Sequence, residues 1–272
     1  MNYKMIALDI DGTLLNSRKE ITPETGEAVR EVRAAGKTVV FDTGRAVCEL
    51  TDIFAFLPEV RYAVFASGAG IYDVRQKRTF ALHAISRKDA DAVFSLARTI
   101  DVMPQIVLPD NNVIQASHLD RLDHYHMEIY RPLYEKVITT VPDIFAFAAS
   151  CCEPILKINL YHANPAERAR TDTQLSSLNL ERVCVELSSL ESTACGVDKG
   201  AGLLWLCREL GISPAQTIAV GDGDNDLPML QTAGLGVAMG NAAEHIKAAA
   251  NRVVSDLDHG GCAQAIRLLL SE

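Results

Sequence analysis

Near the start of this chain, a short apolar run, residues 5–8, is followed at once by Asp9-Ile10-Asp11-Gly12-Thr13. Such a run predicts a buried strand that ends in a loop. Because side chains alternate along an extended chain, Asp9 and Asp11 can point the same way from the end of the strand, while Gly12 lets the backbone turn away. Two neighbouring carboxylates repel each other, and Mg²⁺, a hard ion that binds oxygen ligands and partners phosphates, would relieve the repulsion. Asp, Gly and Thr also form ordinary turns, so the interpretation depends on the rest of the chain.

Composition places the chain among ordinary globular proteins. Its 272 residues, 48% of them hydrophobic, suffice for one large core or two smaller ones. The formal net charge of −9 argues against nucleic acid or an anionic membrane surface as a partner, since both require a basic surface. The seven cysteines include no Cys-x-x-Cys pair, so neither a disulfide framework nor a zinc site is indicated. No apolar stretch suits a signal peptide or a membrane span, and we expect a cytoplasmic protein.

The segments after the acidic loop predict a βαβ unit. Thr22 and Pro23 suit a helix start, apolar residues follow at helical spacing as far as Gly36, and the β-branched run 37–41 predicts a second strand. This order gives a parallel pair with a right-handed crossover. Parallel sheets bind ligands at the carboxyl ends of their strands, and the second strand delivers Thr43-Gly44-Arg45 to that edge.

From about residue 80 the pattern changes to a shorter helix and short strand-like pieces. Ser86 and Asp89 form a possible capping box, and the turn 109–112 separates two short predicted strands. We therefore predict a core formed by residues 1–82 and 189–272, with residues 83–188 inserted as a separate α+β domain.

Two further polar groups follow the insertion. Lys199 lies at the start of a predicted helix that ends at Gly211, where a lysine is unfavourable unless an anion is near. The predicted strand 217–220 ends in Gly221-Asp222-Gly223-Asp224-Asn225-Asp226, whose aspartates repel one another unless a cation or a helix N-terminus shares their charge. The remaining strands and helices complete an α/β core with a doubly wound parallel sheet.

Strand ends and one helix start thus deliver a set of chemically reactive side chains to one edge of the sheet: Asp9, Asp11, Thr43, Lys199, Asp222 and Asp226. Carboxylates with Mg²⁺, a lysine, a hydroxyl and backbone amides suit phosphoryl transfer, in which the metal and the lysine neutralise phosphate oxygens. No Gly-x-x-x-x-Gly-Lys loop is present, so a nucleotide-binding P-loop is not indicated. An aspartate nucleophile that forms an acyl phosphate is the chemistry that remains.

The motifs resemble those of the haloacid dehalogenase superfamily, and within it the Cof-type phosphatases with a large type IIB cap. They occur in family order over nearly the whole chain: Asp9-Ile10-Asp11-Gly12-Thr13, Thr43-Gly44-Arg45, Lys199-Gly200, Gly221 to Asp226, and the segment Ala238-Met239-Gly240-Asn241-Ala242. The resemblance implies a Rossmann-like core and an inserted cap that closes over the site and selects the substrate.

The resemblance also implies a role for each matching residue. Asp9 would be the nucleophile and a Mg²⁺ ligand. Asp11 would protonate the leaving oxygen, activate the hydrolytic water and lend its carbonyl oxygen to the metal. The remaining positions would hold phosphate (Thr43, Gly44, Lys199) or metal (Asp222, supported by Asp226), and Asn225 would contact either.

Two positions depart from the family pattern. Asp42 stands where the family usually has a small apolar residue, and Ser67 stands where the family has asparagine. Neither change removes a catalytic group.

The sequence therefore predicts a Mg²⁺-dependent phosphatase acting on small phosphorylated metabolites, such as sugar or cofactor phosphates. A phosphomutase or other phosphotransferase of the same superfamily is the alternative, and a receiver-like phospho-accepting switch is a further one, which the insertion of about a hundred residues disfavours. The expected partner is a small phosphate ester. Whether the protein is a monomer or a homodimer stays open.

Overall fold

The computed structural model describes residues 2–270. In chain order, the strands are β1 (Met5–Leu8), β2 (Thr38–Asp42), β3 (Tyr62–Phe65), β4 (Gly70–Asp73), β5 (Arg78–Leu82), β6 (Val102–Val107), β7 (Asn112–Gln115), β8 (Thr139–Val141), β9 (Lys157–His162), β10 (Leu180–Val185), β11 (Ser189–Ala194), β12 (Thr217–Gly221), β13 (Leu235–Ala238) and β14 (Arg252–Val253).

The α-helices are also numbered in chain order. They are α1 (Pro23–Ala34), α2 (Thr51–Phe56), α3 (Arg87–Ala97), α4 (Ala116–Leu119), α5 (Arg131–Val137), α6 (Ile144–Ser150), α7 (Pro165–Gln174), α8 (Lys199–Leu210), α9 (Leu227–Thr232), α10 (Glu244–Ala249) and α11 (Gly261–Arg267). No helix within residues 2–270 is both long enough and apolar enough to cross a membrane.

The chain divides into two compact units. The first unit comprises the chain up to Gly44, the segment Thr51–Ala81 and the chain from Asp198 onward. The second unit comprises Arg45–Leu50 and Leu82–Val197.

The first unit is built on a sheet with the strand order β14-β13-β12-β1-β2-β3-β4-β5. The pairs from β14 to β3 are all parallel, and β4 runs antiparallel to β3. Strands β2 to β5 lie on one side of β1, and the later strands β12 to β14 lie on its other side. The strand order therefore reverses between β1 and β12. This confirms the predicted α/β fold with a doubly wound parallel sheet. Such a switch point is where these sheets leave a crevice for ligands.

Both faces of this sheet are covered. Met5 and Ala7 of β1 pack with Leu203, Leu206 and Cys207 of α8 in one apolar cluster. The alternating residues Ile6 and Leu8 are also fully buried. Strands buried on both faces are expected in a parallel sheet and explain the continuous apolar run at the start of the sequence.

Two helices of the first unit begin and end where the sequence predicts. The Thr22 side chain accepts a hydrogen bond from the Thr25 amide, and Pro23 opens α1. Helix α8 is capped by Asp198, whose carboxylate accepts a hydrogen bond from the Ala201 amide, and is closed by Gly211 in the left-handed conformation. Both helix ends follow from local capping chemistry.

The second unit is built on a separate sheet with the strand order β10-β11-β9-β6-β7-β8. One face is apolar and packs against α3 and α6 through Ile106, Ile158 and Leu190. The alternating residues Gln105, Asn159 and Tyr161 form a buried hydrogen-bonded group, in which the Asn159 Nδ2 and Tyr161 Oη atoms both donate to the Gln105 side-chain oxygen.

The contact-defined units group three stretches differently from the predicted domains: residues 45–50, Leu82 and residues 189–197. Strand β11 pairs with β10 and β9 and lies in the second unit, which ends at Val197 and also includes residues 45–50. β11 escapes sequence analysis because its sequence, SLESTA, lacks the apolar and β-branched pattern of a strand. Its buried Glu191 is neutralised by Lys157 of β9, at 2.9 Å. Whether the second unit acts as a substrate-selecting cap stays a prediction.

Candidate active site

The candidate site lies in the first unit, at the carboxyl ends of three adjacent strands. Asp9 directly follows β1, Thr43 directly follows β2 and Asp222 directly follows β12. These strands are neighbours in the order β12-β1-β2. The topology therefore collects side chains that lie far apart in the sequence.

Lys199 is the centre of this arrangement. Its ammonium donates hydrogen bonds to Asp9 Oδ1 at 2.6 Å and to Asp226 Oδ1 at 2.5 Å, and the side chain is completely buried. Burial disfavours a charged lysine, but Asp226, Asp9 and Asp42 outweigh that effect and raise the pKa of Lys199 above its ordinary value. Lys199 is therefore a fixed positive charge beside the Asp9 carboxylate.

The loop after β12 is held by Asp226. Its Oδ2 atom accepts hydrogen bonds from the backbone amides of Asp222 and Gly223, at 2.8 and 2.9 Å, while its other oxygen contacts Lys199. These contacts fix the direction in which the Asp222 side chain leaves the loop. Asp224 lies outside this arrangement, exposed and paired with His245 at 2.6 Å.

Asp9, Asp222 and Asp226 form an acidic trio that suits a divalent cation. One carboxylate oxygen from each residue lies within 4.8 Å of the others. Three carboxylates and one ammonium leave a formal excess of two negative charges in a largely buried site. Carboxylate oxygens are the ligands that Mg²⁺ prefers, so the donor set and its charge both fit this ion.

The electrostatics of the trio show the same excess of negative charge. Burial raises the pKa of Asp222 to about 7, with a further contribution from Asp226 and partial opposition from Lys199. Burial also raises the pKa of Asp9, again against the effect of Lys199. Without a second cation, the fully ionised trio is therefore unfavourable.

Two residues that the sequence prediction did not include support the trio. The Asn241 side-chain amide donates to the Gly12 carbonyl oxygen at 2.9 Å and to Asp222 Oδ2 at 3.0 Å. The Thr13 hydroxyl donates to Asp222 Oδ1 at 3.4 Å. Asn241 thus joins the loops after β1 and β12. Its place in the segment 238–242, already noted for its resemblance to the family, was the available signal.

The side chain of Asp11 lies outside the acidic trio. Its Oδ1 atom accepts a hydrogen bond from the Lys19 ammonium at 2.8 Å, and both side chains are partly exposed. Lys19 was not among the predicted site residues. Its partner is eight positions away across an irregular loop, where no helical or strand periodicity indicates which side chains meet.

Apart from Lys199, the predicted phosphate-binding residues lie in two separate segments, one after β2 and one after β12. Thr43 is buried, its amide donates to the Val64 carbonyl oxygen, and its own carbonyl oxygen accepts from the Ser67 amide at 3.0 Å. Gly44 follows Thr43 at the end of β2. Asn225 is half-buried, and its side-chain oxygen lies against Gly223. The roles of these residues in holding phosphate stay predictions.

Asp42, the departure noted in the sequence, is completely buried at the end of β2. Neither of its carboxylate oxygens has a hydrogen-bond partner among the described residues. Burial raises the pKa of this carboxyl well above its ordinary value, although Lys199 opposes the shift.

Comparison with known proteins identifies the family. The profile of the haloacid dehalogenase-like hydrolases matches residues 6–266. The chain therefore belongs to this family, as the resemblance of its motifs indicated. The phosphatases among its relatives agree with the predicted enzyme class, a phosphoric monoester hydrolase.

Two phosphatases of Bacillus subtilis are similar to this chain over nearly its whole length. The phosphatase YwpJ of Bacillus subtilis is 31% identical over 293 residues, covering 98% of this chain and 100% of that protein. The 5-amino-6-(5-phospho-D-ribitylamino)uracil phosphatase YcsE of the same organism is 28% identical, covering 98% and 96% respectively. By contrast, the chain spans only 46% of the chloroplastic endoribonuclease YBEY of Arabidopsis thaliana, to which it is 29% identical over 97% of its own length.

Solved structures share the fold. A haloacid dehalogenase-like hydrolase from B. subtilis aligns with a TM-score of 0.86 at 26% identity, covering 97% of this chain and 99% of that one. A sugar phosphatase of haloacid dehalogenase subclass IIB aligns with a TM-score of 0.83 at 25% identity, covering 97% and 98%.

Proposed function

We propose that this protein is a Mg²⁺-dependent phosphatase that hydrolyses small phosphorylated metabolites through an aspartyl phosphate on Asp9. The observation that carries the proposal is the juxtaposition of Asp9 with one buried ammonium, Lys199, and with a trio of carboxylates suited to a cation. Two relatives support the substrate class: one is named for a phosphorylated ribitylamino-uracil and another is described as a sugar phosphatase.

In the first step, a carboxylate oxygen of Asp9 attacks phosphorus in line with the leaving oxygen. An oxygen–phosphorus bond forms to Asp9 while the bond from phosphorus to the leaving oxygen breaks, and Asp11 transfers its proton to that oxygen. In the second step, water attacks the phosphorus and passes a proton to Asp11. The bond between phosphorus and Asp9 breaks, and inorganic phosphate leaves.

The metal would be held by Asp9, Asp222 and Asp226, with the Asp11 carbonyl oxygen added by the family resemblance. When bound, it supplies positive charge that neutralises the phosphate oxygens and the trio. Lys199, whose ammonium lies 2.6 Å from Asp9 Oδ1, supplies a second positive charge. Thr43, Gly44 and Asn225 would orient the phosphate through their hydroxyl, amide and side-chain amide groups.

We also propose that the second unit selects the substrate, because the chemistry described above uses residues of the first unit alone. The proposed partner is a small phosphate ester. Hydrolysis of a panel of phosphate esters tests both statements. Replacement of the second unit by that of a relative should change the preferred ester but not the requirement for Asp9.

The Asp9→Asn variant tests the proposal. The amide cannot act as an anionic nucleophile, so hydrolysis of 4-nitrophenyl phosphate and of a panel of sugar and cofactor phosphates should fall by about a thousandfold or more. The exposed Asp123 provides a matched control, and Asp123→Asn should retain wild-type rates. Circular dichroism verifies that both variants are folded.

Metal dependence is tested on the wild-type protein. Treatment with a chelator should abolish turnover, and added Mg²⁺ should restore it.

Undiminished turnover by Asp9→Asn would contradict the assigned nucleophile, and an isomerised phosphate ester in place of inorganic phosphate would favour a mutase.

A further inference from the structure

We propose that Lys19 is a positioning residue that orients the carboxyl group of Asp11 for proton transfer to the leaving group. The inference rests on the proposed function, in which Asp11 is the acid and base. Its starting point is the contact from the Lys19 ammonium to Asp11 Oδ1, at 2.8 Å.

Lys19 is held in a turn whose geometry is defined by Asn16. The Asn16 side-chain oxygen accepts hydrogen bonds from the amides of Arg18 and Glu20, both at 3.0 Å. The Asn16 amide donates to the Glu20 carbonyl oxygen, and the Lys19 amide donates to the Asn16 carbonyl oxygen, both at 2.9 Å. Because Asn16 is itself buried, the turn holds the backbone of Lys19 in a defined position.

The backbone of Lys19 is in the left-handed region, with φ of 59°. This conformation is unfavourable for a residue with a long side chain, and glycine or asparagine is the usual occupant. An ion pair between partly exposed side chains adds little stability. The turn would therefore be at least as stable with glycine at this position, so stability alone does not account for a lysine here. Unfavourable backbone conformations of this kind are a reason to look for function.

The contact is geometrically possible in both protonation states that the proposed reaction requires. One carboxyl oxygen of Asp11 can accept a hydrogen bond from the ammonium whether or not the other oxygen carries the proton. Lys19 can thus hold the orientation of Asp11 through both steps. Displacement of a catalytic group by about 1 Å can lower a rate about a hundredfold, so such orientation has kinetic consequences.

The test compares two substrates that differ in how strongly they need an acid. Phenyl phosphate has a basic leaving group that requires protonation, whereas the 4-nitrophenolate of 4-nitrophenyl phosphate leaves without it. Lys19→Gly removes the ammonium and keeps the backbone conformation accessible. We expect kcat/KM to fall about tenfold or more on phenyl phosphate and less than about threefold on 4-nitrophenyl phosphate.

Two control variants accompany this test. Lys19→Arg keeps a cation at the same position and should recover most of the activity on phenyl phosphate. Arg18→Ala removes a neighbouring exposed cation, which pairs with Glu20 and not with Asp11, and should leave the ratio of the two substrates unchanged. Thermal unfolding should show no loss of stability for Lys19→Gly.

The outcomes separate the inference from the proposed function. A larger loss on phenyl phosphate, reversed by arginine, supports the positioning role. Equal losses on both substrates, or none, would overturn it while leaving the phosphatase assignment intact. If the wild-type protein hydrolyses neither ester nor any metabolite phosphate, the proposed function fails and the inference falls with it.

Discussion

Among single residues, Asp42 is a buried carboxyl group near the site that lacks a hydrogen-bond partner among the described residues. A buried carboxyl group without a hydrogen-bond partner costs about 1–3 kcal/mol relative to an apolar group of the same shape. Asp42 is completely buried and has no such partner among the described residues. The proposed mechanism gives it no chemical step, so its removal separates stability from catalysis.

We predict that Asp42→Val stabilises the first unit by about 1–3 kcal/mol at pH 8. The folded state raises the pKa of Asp42, so above about pH 4 the unfolded chain releases a proton that the folded chain retains. Wild-type stability therefore falls as the pH rises through this window, and the gain from valine should be smaller at pH 5 than at pH 8.

Urea unfolding followed by the fluorescence of Trp205 measures this effect, because the single tryptophan lies in α8 of the first unit. A variant less stable than the wild type would contradict the predicted cost of the unpartnered carboxyl group, and a gain independent of pH would contradict its raised pKa.

At the scale of elements, the site depends on the close approach of the loops after β1 and β12. Gly12 has φ of +86°, and a Cβ atom added there would lie 2.2 Å from an oxygen of Asp222. Real Cβ atoms do not approach so closely, so a side chain at position 12 would displace Asp222. The left-handed backbone adds a separate cost that any side chain would incur.

Gly12→Ala and Gly36→Ala form a matched pair that separates these two effects. Gly36 also has a positive φ, +77°, but an added Cβ atom there would meet nothing within 4 Å. Both variants should lose about 1 kcal/mol from the backbone conformation. Only Gly12→Ala should also require at least about tenfold more Mg²⁺ for half-maximal activity, because losing the contacts that orient a metal-binding side chain costs about 10–100-fold in metal affinity. Equal Mg²⁺ requirements in the two variants would refute the role of the close contact.

At the scale of the whole molecule, the two units should respond differently to the metal. The acidic trio belongs to the first unit, and a ligand that binds only the folded state stabilises it by about 2.7 kcal/mol at a hundred times its Kd. For a unit of this size, that corresponds to a rise in Tm of several degrees. The fluorescence of Trp205 reports on the same unit.

We therefore expect saturating Mg²⁺ to raise the Tm followed by Trp205, and to have no such effect on Asp222→Asn. Asparagine preserves the size of the side chain and removes its charge, so the comparison isolates the metal site. A shift of the same size in the variant would mean that Mg²⁺ acts elsewhere on the protein.

Much of the architecture could be predicted because it is encoded locally. The apolar run 5–8 predicts β1, Thr22 and Pro23 predict the start of α1, and Gly211 predicts the end of α8; the structure has all three. Burial periodicity and capping operate over a few residues, which is why the sequence specifies them. β11 was missed because its buried polar residues are stabilised by a partner strand rather than by a local pattern.

The family, the doubly wound sheet and the chemical types of the side chains at its edge could all be predicted from the order of the residues. Which side chains meet became known from the folded chain: Lys199 contacts Asp9 across 190 positions, Asn241 joins two loops, and Asp11 pairs with Lys19. The two kinds of information differ because the interactions behind them act over different distances along the chain. Local backbone preferences act between near neighbours, whereas the field around a carboxylate depends on every charge that folding brings within a few ångströms.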